Sequence, residues 1–218
     1  MAQALLMRTL VSMPFAENTY IVRLPGRQDA LVIDPGLEPE LILDCLREEE
    51  LTVAAILNTH AHGDHIGGNA DVKRAFPQAP LVIGVNDAPL LTDPEANLSA
   101  PFGMPVVSPP ADKVVREGDV IEAAGVRLEV LDIPGHSPGH VVYLYRGSPH
   151  IVFGGDVLFR GGIGRYDLPN ANGPLLFRGI RDKLLTLPPD TVVYPGHGPV
   201  TTVGHERTSN PFVGGSPA

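Results

Sequence analysis

Thr59-His60-Ala61-His62-Gly63-Asp64-His65-Ile66-Gly67-Gly68 sets three imidazoles and a carboxylate between positions 60 and 65. The stretch follows Val53–Leu57, an apolar run short enough for a buried strand, and it ends in a glycine pair. Alternate residues of an extended segment share a side, so His60 and His62 can face one ion. The next turn can then aim Asp64 and His65 at a second ion nearby. Imidazole mixed with carboxylate suits Zn, Fe or Mn. A solvated histidine-rich loop would have the same composition, but not the buried strand before it and the glycines after it.

Three other places repeat the setting of a donor beside glycine at the end of an apolar run. They are Pro134-Gly135-His136, Gly154-Gly155-Asp156 and Pro195-Gly196-His197. Alone, each reads as a turn. Together they put donors at several strand ends, which should lie along one edge of the molecule. Asp34, in Ile33-Asp34-Pro35-Gly36, has the same position after another short strand. It reads equally as a turn residue or as a carboxylate that orients the histidine loop.

The chain between these points reads as two similar halves. In the first, Ala4–Ser12, Thr19–Leu24 and Ala30–Ile33 are expected strands, a helix runs from Pro39 to about Glu50, and Val53–Leu57 is a strand. In the second, Val141–Tyr145 and Ile151–Phe153 are strands, Pro174–Thr186 is a helix and Thr191–Tyr194 is a strand. Leu81–Gly84, a Pro/Gly-rich loop over Thr92–Pro110, and a hairpin of Asp119–Ala123 with Val126–Ile133 lie between them. This pattern suggests two sheets covered by helices.

Composition narrows the function classes. There are 24 glycines and 23 prolines among 218 residues, yet 43% of the chain is apolar, enough for a packed core. The net charge of −9 argues against a general partner among nucleic acids or anionic membranes. A lone cysteine, Cys45, excludes an internal disulfide framework and a thiolate-cluster metal site; on the expected helix it reads as core. No apolar run approaches a membrane span, and the start of the chain lacks a basic segment ahead of its apolar residues, so a cytoplasmic protein is expected.

The motifs Thr59–Gly68, Pro134-Gly-His-Ser-Pro-Gly-His140, Gly155-Asp-Val-Leu-Phe159 and Pro195-Gly-His-Gly198 together resemble the metallo-β-lactamase fold superfamily, and within it the small glyoxalase II-like hydrolases. Asn18-Thr-Tyr-Ile-Val22 and Ile33-Asp-Pro-Gly36 fit the same resemblance. It implies an α/β fold, an αββα four-layer sandwich of two mixed sheets flanked by helices. It also implies residues 1–210 as a single domain and 211–218 as a C-terminal tail, without the separate C-terminal helical domain of larger glyoxalase II enzymes. By position, His60, His62 and His136 would hold one divalent ion, Asp64, His65 and His197 a second, and Asp156 would bridge. The cofactor implied is two ions of Zn, with Fe or Mn as alternatives.

The activity implied is hydrolysis of a small-molecule thioester such as S-D-lactoylglutathione through a metal-bridging hydroxide, with Asp64 as the catalytic residue that orients it. Two divalent ions, two carboxylates and one hydroxide leave a charge of about +1 for an oxyanion. Arg165 matches a basic substrate-binding position of the family, and Tyr166 lies beside it. Asp167 and Pro199 stand where the larger enzymes carry tyrosines, which puts glutathione recognition in doubt. Arg165 could bind a substrate carboxylate or pair with Asp167. Gly164-Arg-x-Asp167 is also similar to persulfide dioxygenases, which would use one iron, here on His62, His136 and Asp156. Pro-Gly-His-Gly-Pro near the last histidine favours hydrolysis. A lactonase or other esterase remains open, a true β-lactamase and a nuclease are disfavoured, and a non-catalytic metal module would need a closed shell. His140 is expected to hydrogen-bond inside the fold, and His150 and His205 to lie in loops or at the surface.

Overall fold

A computed structural model describes residues 4–215. Residues 1–3, at the start of the chain, and 216–218, part of the expected tail, lie outside the described residues. The first sheet contains β1 (Leu6–Ser12), β2 (Glu17–Arg23), β3 (Asp29–Ile33), β4 (Thr52–Leu57), β5 (Leu81–Gly84) and β6 (Lys113–Val115) in that spatial order. Its first three strands are antiparallel and the rest parallel. The second sheet begins with β7 (Val120–Ala123), β8 (Val126–Asp132), β9 (Val141–Tyr145) and β10 (Ile151–Gly155). A small hairpin of β11 (Leu158–Phe159) and β12 (Gly162–Ile163) follows. The second sheet then closes with β13 (Val192–Pro195) and β14 (Thr201–Thr202), giving the order β14-β13-β10-β9-β8-β7.

Three apolar layers account for the stacking. Tyr20, Val22, Leu31, Ile33, Leu57, Leu128, Val130, Tyr143 and Phe153 pack between the sheets. The alternate residues Ile21, Ala30, Val32 and Ile56 point the other way, against Ile42 and Leu46 of helix α1 (Pro39–Glu48). On the far side Val142, Leu144 and Val152 meet Leu176, Ile180 and Leu184. Strands buried on both faces explain why these runs are apolar at nearly every position. The order is the expected αββα sandwich.

Local chemistry sets several element ends. Pro39 opens α1, with Glu40 in its first turn and Arg47 in its last, which suits the helix dipole. Ala124 and Gly125 both have positive φ, 52° and 70°, the condition for the tight turn joining β7 to β8. The expected helix at 174–186 divides into α4 (Gly173–Gly179) and a π-helical turn, Ile180–Leu184. Of the helices between α1 and α4, α2 (Gly63–Ile66) and α3 (Asn69–Ala75) are too short for a periodic signature, and sequence reading missed them. The same holds for α5 (Val203–Ser209) and the short strands β6, β11, β12 and β14. Residues 211–215 of the expected tail fold back and bury Val213 in the core beside α4.

Hydrogen bonds lock the sheets together near one edge. Tyr20 Oη donates to Pro195 O at 2.6 Å, and Asn18 Nδ2 donates to Pro195 O and Gly198 O. Tyr143 Oη, fully buried, donates to Asn58 O at 2.7 Å, just before the histidine stretch. Tyr143→Phe removes that donor and leaves a buried carbonyl short of its partner. The variant is expected to lose about 1–3 kcal/mol of stability, read as a lower urea midpoint with an unchanged m-value.

Candidate metal centre

Each donor sits where a strand ends. Asp34 follows β3, His60 follows β4, Asp156 follows β10 and His197 follows β13, while His136 lies in the loop after β8. Open α/β sheets place ligands at such carboxyl ends. His62 is still extended (φ −68°, ψ 147°), and α2 starts at the next residue. That switch from extended chain to helical turn separates His60 and His62 from Asp64 and His65. Two glycines permit the close approach. A Cβ at Gly155 would strike Thr59 Oγ1, and one at Gly196 would strike Asp156 Oδ1.

The outer nitrogen of four histidines is held, which fixes what the inner one can do. His136 Nδ1 donates to Arg165 O at 2.8 Å and His197 Nδ1 to Phe15 O at 3.0 Å. His65 Nδ1 donates to Asp34 Oδ2 at 3.1 Å. The Thr59 hydroxyl donates to that same carboxylate at 2.6 Å, so it must accept from His60 Nδ1, 3.1 Å away. Each Nε2 therefore points inward, where in the neutral ring it offers a lone pair.

Those lone pairs converge. His60 Nε2 faces His62 Nδ1 at 3.1 Å, and the donor atoms of His60, His62 and His136 lie within 4.8 Å of one another. Donor atoms of Asp64, His65 and His197 form a second such group. Asp156 lies between them, with Oδ1 3.4 Å from His65 Nε2 and Oδ2 3.4 Å from His136 Nε2. His65 Nε2 and His197 Nε2 stand 3.3 Å apart, and two lone pairs cannot bond each other. His136 Nε2 and Asp156 Oδ1 are buried without a hydrogen-bond partner. This donor set fits divalent cations, and its unpaired atoms are the ones such ions would engage.

The electrostatics agree. Burial, reinforced by neighbouring imidazoles, pushes His60 well below the usual histidine range and His62 down to about 3. Both stay neutral, as metal ligands must. At His65 burial also opposes charge, but Asp64 and Asp156 outweigh it and hold the group well above its ordinary value. His197 is raised too: burial opposes, while its hydrogen bond to Asp64 and the charge of Asp156 prevail. The second donor group thus demands positive charge.

Asp34 adopts φ +48°, a left-handed conformation costly for a side chain, and so spans Thr59 and His65. His140 is buried, accepts from Asp156 N at 3.0 Å and stacks on His60. Arg165 pairs with Asp167 through Nε and Nη2, at 2.9 and 3.1 Å, and also borders the pocket above the donors. Tyr166 departs from expectation. It is not among the residues lining that pocket; its ring packs edge-on against Phe177 of α4 and lies beside Gly173, where it gains apolar contact.

Sequence reading missed Asp87. It is fully buried, accepting from Ala61 N (3.0 Å), Ser137 Oγ (2.6 Å) and Gly139 N (2.5 Å). One carboxylate thereby ties the His60–His62 segment to the His136 loop. The signal available was weak, since Asn-Asp-Ala-Pro reads as an ordinary turn. Asp87→Asn replaces one acceptor oxygen by a donor that faces other donors. It is expected to lower metal affinity about 10–100-fold without loss of secondary structure, measured by competition with a chromophoric chelator and by circular dichroism.

Comparison with known proteins agrees with this architecture. The profile of the metallo-β-lactamase superfamily matches residues 13–197. A probable metallo-hydrolase of Bacillus subtilis, YqgX, is 41% identical over 203 residues, covering 93% of this chain and 94% of that protein. The hydroxyacylglutathione hydrolase GloC of Haemophilus influenzae is 36% identical, over 91% of this chain and 93% of that one. The crystal structure of the B3 metallo-β-lactamase BLEG-1 superposes with a TM-score of 0.91 at 37% identity, over 96% of this chain and all of that one. TTHA1623 in a di-iron-bound form gives 0.84 at 40% identity, over 94% and 99% of the two chains. From its motifs, its sandwich and these likenesses alike, the chain belongs to the metallo-β-lactamase superfamily and is a metal-dependent hydrolase.

Proposed function

We propose that this hydrolase cleaves thioesters, with S-D-lactoylglutathione as the reference substrate, and that it works with two divalent ions, zinc before iron or manganese. The observation that carries the metal part is the meeting of two donor groups across Asp156, with lone pairs turned inward. The likeness to GloC over nine-tenths of both chains supports the thioester part. The likeness to TTHA1623, described in a di-iron-bound form, supports two ions and keeps iron in view.

In this reading His60, His62 and His136 would hold one ion and Asp64, His65 and His197 the other, with Asp156 within reach of both groups. Ions so held supply an acidified water and a charge that stabilises a carbonyl oxyanion. The protein does the rest. Asp64 borders the pocket, with Oδ2 3.2 Å from His197 Nε2, so its carboxylate stands where it can accept a hydrogen bond from the attacking water and fix its direction. Asp34 keeps the His65 ring oriented, and Asp87 holds the segments that carry His60, His62 and His136. The chemistry needs no protein nucleophile, and half-buried Cys45 packs beside the outer layer of the first sheet.

Elemental analysis of the purified protein, with a thioester-cleavage assay on the same sample, tests this directly. About two ions per chain and turnover that a chelator abolishes are expected. Failure to cleave S-D-lactoylglutathione or any simple thioester with both ions bound would refute the thioester reading. Oxygen uptake with glutathione persulfide would put a mononuclear iron dioxygenase in its place. Rapid hydrolysis of a chromogenic cephalosporin would put the activity named for BLEG-1 there. Asp64→Asn should lower kcat about 100-fold or more, with a smaller change in KM.

A further inference from the structure

The floor of the pocket is formed by His62, Asp64, His136 and Asp156, and most of the other side chains around it are apolar. Phe15, Leu98, Phe102, Met104, Val106 and Leu168 supply the walls. Four of these six come from one connection, residues 94–106 between β5 and β6, expected from sequence to be a plain Pro/Gly-rich loop. It is firmly built. Asn97 Oδ1 accepts from Ser99 N at 3.0 Å and from Ser99 Oγ at 2.5 Å, and Asn97 Nδ2 donates to Val106 O at 2.9 Å. Val106 N donates to Ser99 Oγ at 2.8 Å, and Gly63 N donates to Asn97 O at 3.0 Å, which fastens the segment to α2.

Two features show that the wall is more than leftover packing. Leu98 has φ +64°, a conformation that a branched side chain occupies only when its surroundings impose it. The hydrogen bonds of Asn97 and Ser99 impose it here, and Leu98 lines the pocket as a result. Phe102, at the rim, is 56% exposed and meets Phe15 edge-on at 5.5 Å between ring centres. A large exposed aromatic beside a donor cluster is placed for a ligand rather than for the core.

Charge points the same way. Arg165 is the one cationic side chain among the described residues lining the pocket, and Asp167 already pairs with its Nε and Nη2. A glutathione arm carries two carboxylates and would find a single counter-charge there, already shared with Asp167. An uncharged apolar arm displaces nothing and covers hydrocarbon.

We propose that the pocket takes a thioester with an uncharged apolar arm, aliphatic or aromatic, and that residues 94–106 set this preference. The proposal rests on the thioester reading and narrows it. The arm could be the acyl group or the thiol, and the two are separated by varying each in turn.

The test uses metal-loaded protein and two series. One runs from acetyl through butyryl to hexanoyl thioesters of N-acetylcysteamine; the other holds acetyl constant and lengthens an alkyl thiol. In one series kcat/KM should rise about two- to fourfold per methylene, and the longest member should exceed S-D-lactoylglutathione. Phe102→Ala should flatten that rise. Leu98→Gly, which relieves the strained φ and so carries little risk to folding, should flatten it too. Flat series in both directions would overturn the proposal while leaving the thioester reading intact. Preference for S-D-lactoylglutathione, weakened by salt and by Arg165→Gln, would do the same. Should no thioester be cleaved, the thioester reading itself fails. Calorimetry of hexanoate against acetate then decides the pocket: tighter hexanoate with a negative heat-capacity change retains the apolar site, and equal binding removes it.

Discussion

The structure turns on an electrostatic demand that the chain does not meet by itself. The inward Nε2 atoms of His65 and His197 face each other, and two carboxylates, Asp64 and Asp156, crowd the same space and favour positive charge there. Each is held there from behind: Asp34 grips His65, a backbone carbonyl grips His197, and the turn at Gly155 and Gly196 leaves no room for a side chain. Such an arrangement is costly without a cation and favourable with one. Much of the fold near the edge serves to keep these groups from relaxing apart.

That rigidity comes from both sheets at once. Tyr20 and Asn18 of the first sheet bond the end of β13 in the second, and Tyr143 of the second bonds the chain just ahead of His60. Asp87 adds a buried carboxylate that joins the two histidine-bearing loops through three donors. A buried charge with all its partners satisfied is stiff, because moving any one partner exposes an unmet hydrogen bond. His60, His62 and His136 are therefore cross-braced, although they come from distant parts of the chain.

Above the donors the molecule changes character, from polar and tightly cross-linked to apolar and open. The segment 94–106 is ordered by its own Asn97 and Ser99 and carries no long secondary-structure element. Loops built this way can vary in side chain without disturbing the sheets beneath them. Chemistry and selectivity thus rest on separate parts: strand ends for the first, an internally braced loop for the second.

The residues alone suggested two helix-covered sheets and marked candidate donors at strand ends, because buried strands write continuous apolar runs and because imidazole and carboxylate beside glycine is a restrictive pattern; the resemblance to the metallo-β-lactamase fold implied the sandwich and the grouping of the donors. The strands before His60, Asp156 and His197 were legible for that reason. Asp87 was not, since a buried aspartate and a turn aspartate look alike until their neighbours are known. Tyr166 could not be placed from sequence for the same cause: adjacency to Arg165 in the chain says nothing of which way a ring turns, and its ring lies edge-on to Phe177. Only the tertiary structure decided which nitrogen of each imidazole faces inward, that Asp156 lies between two donor groups, and that an apolar wall stands over them. Those are relations between atoms far apart along the chain, set by packing and by competition for hydrogen-bond partners, and no local stretch of residues contains them.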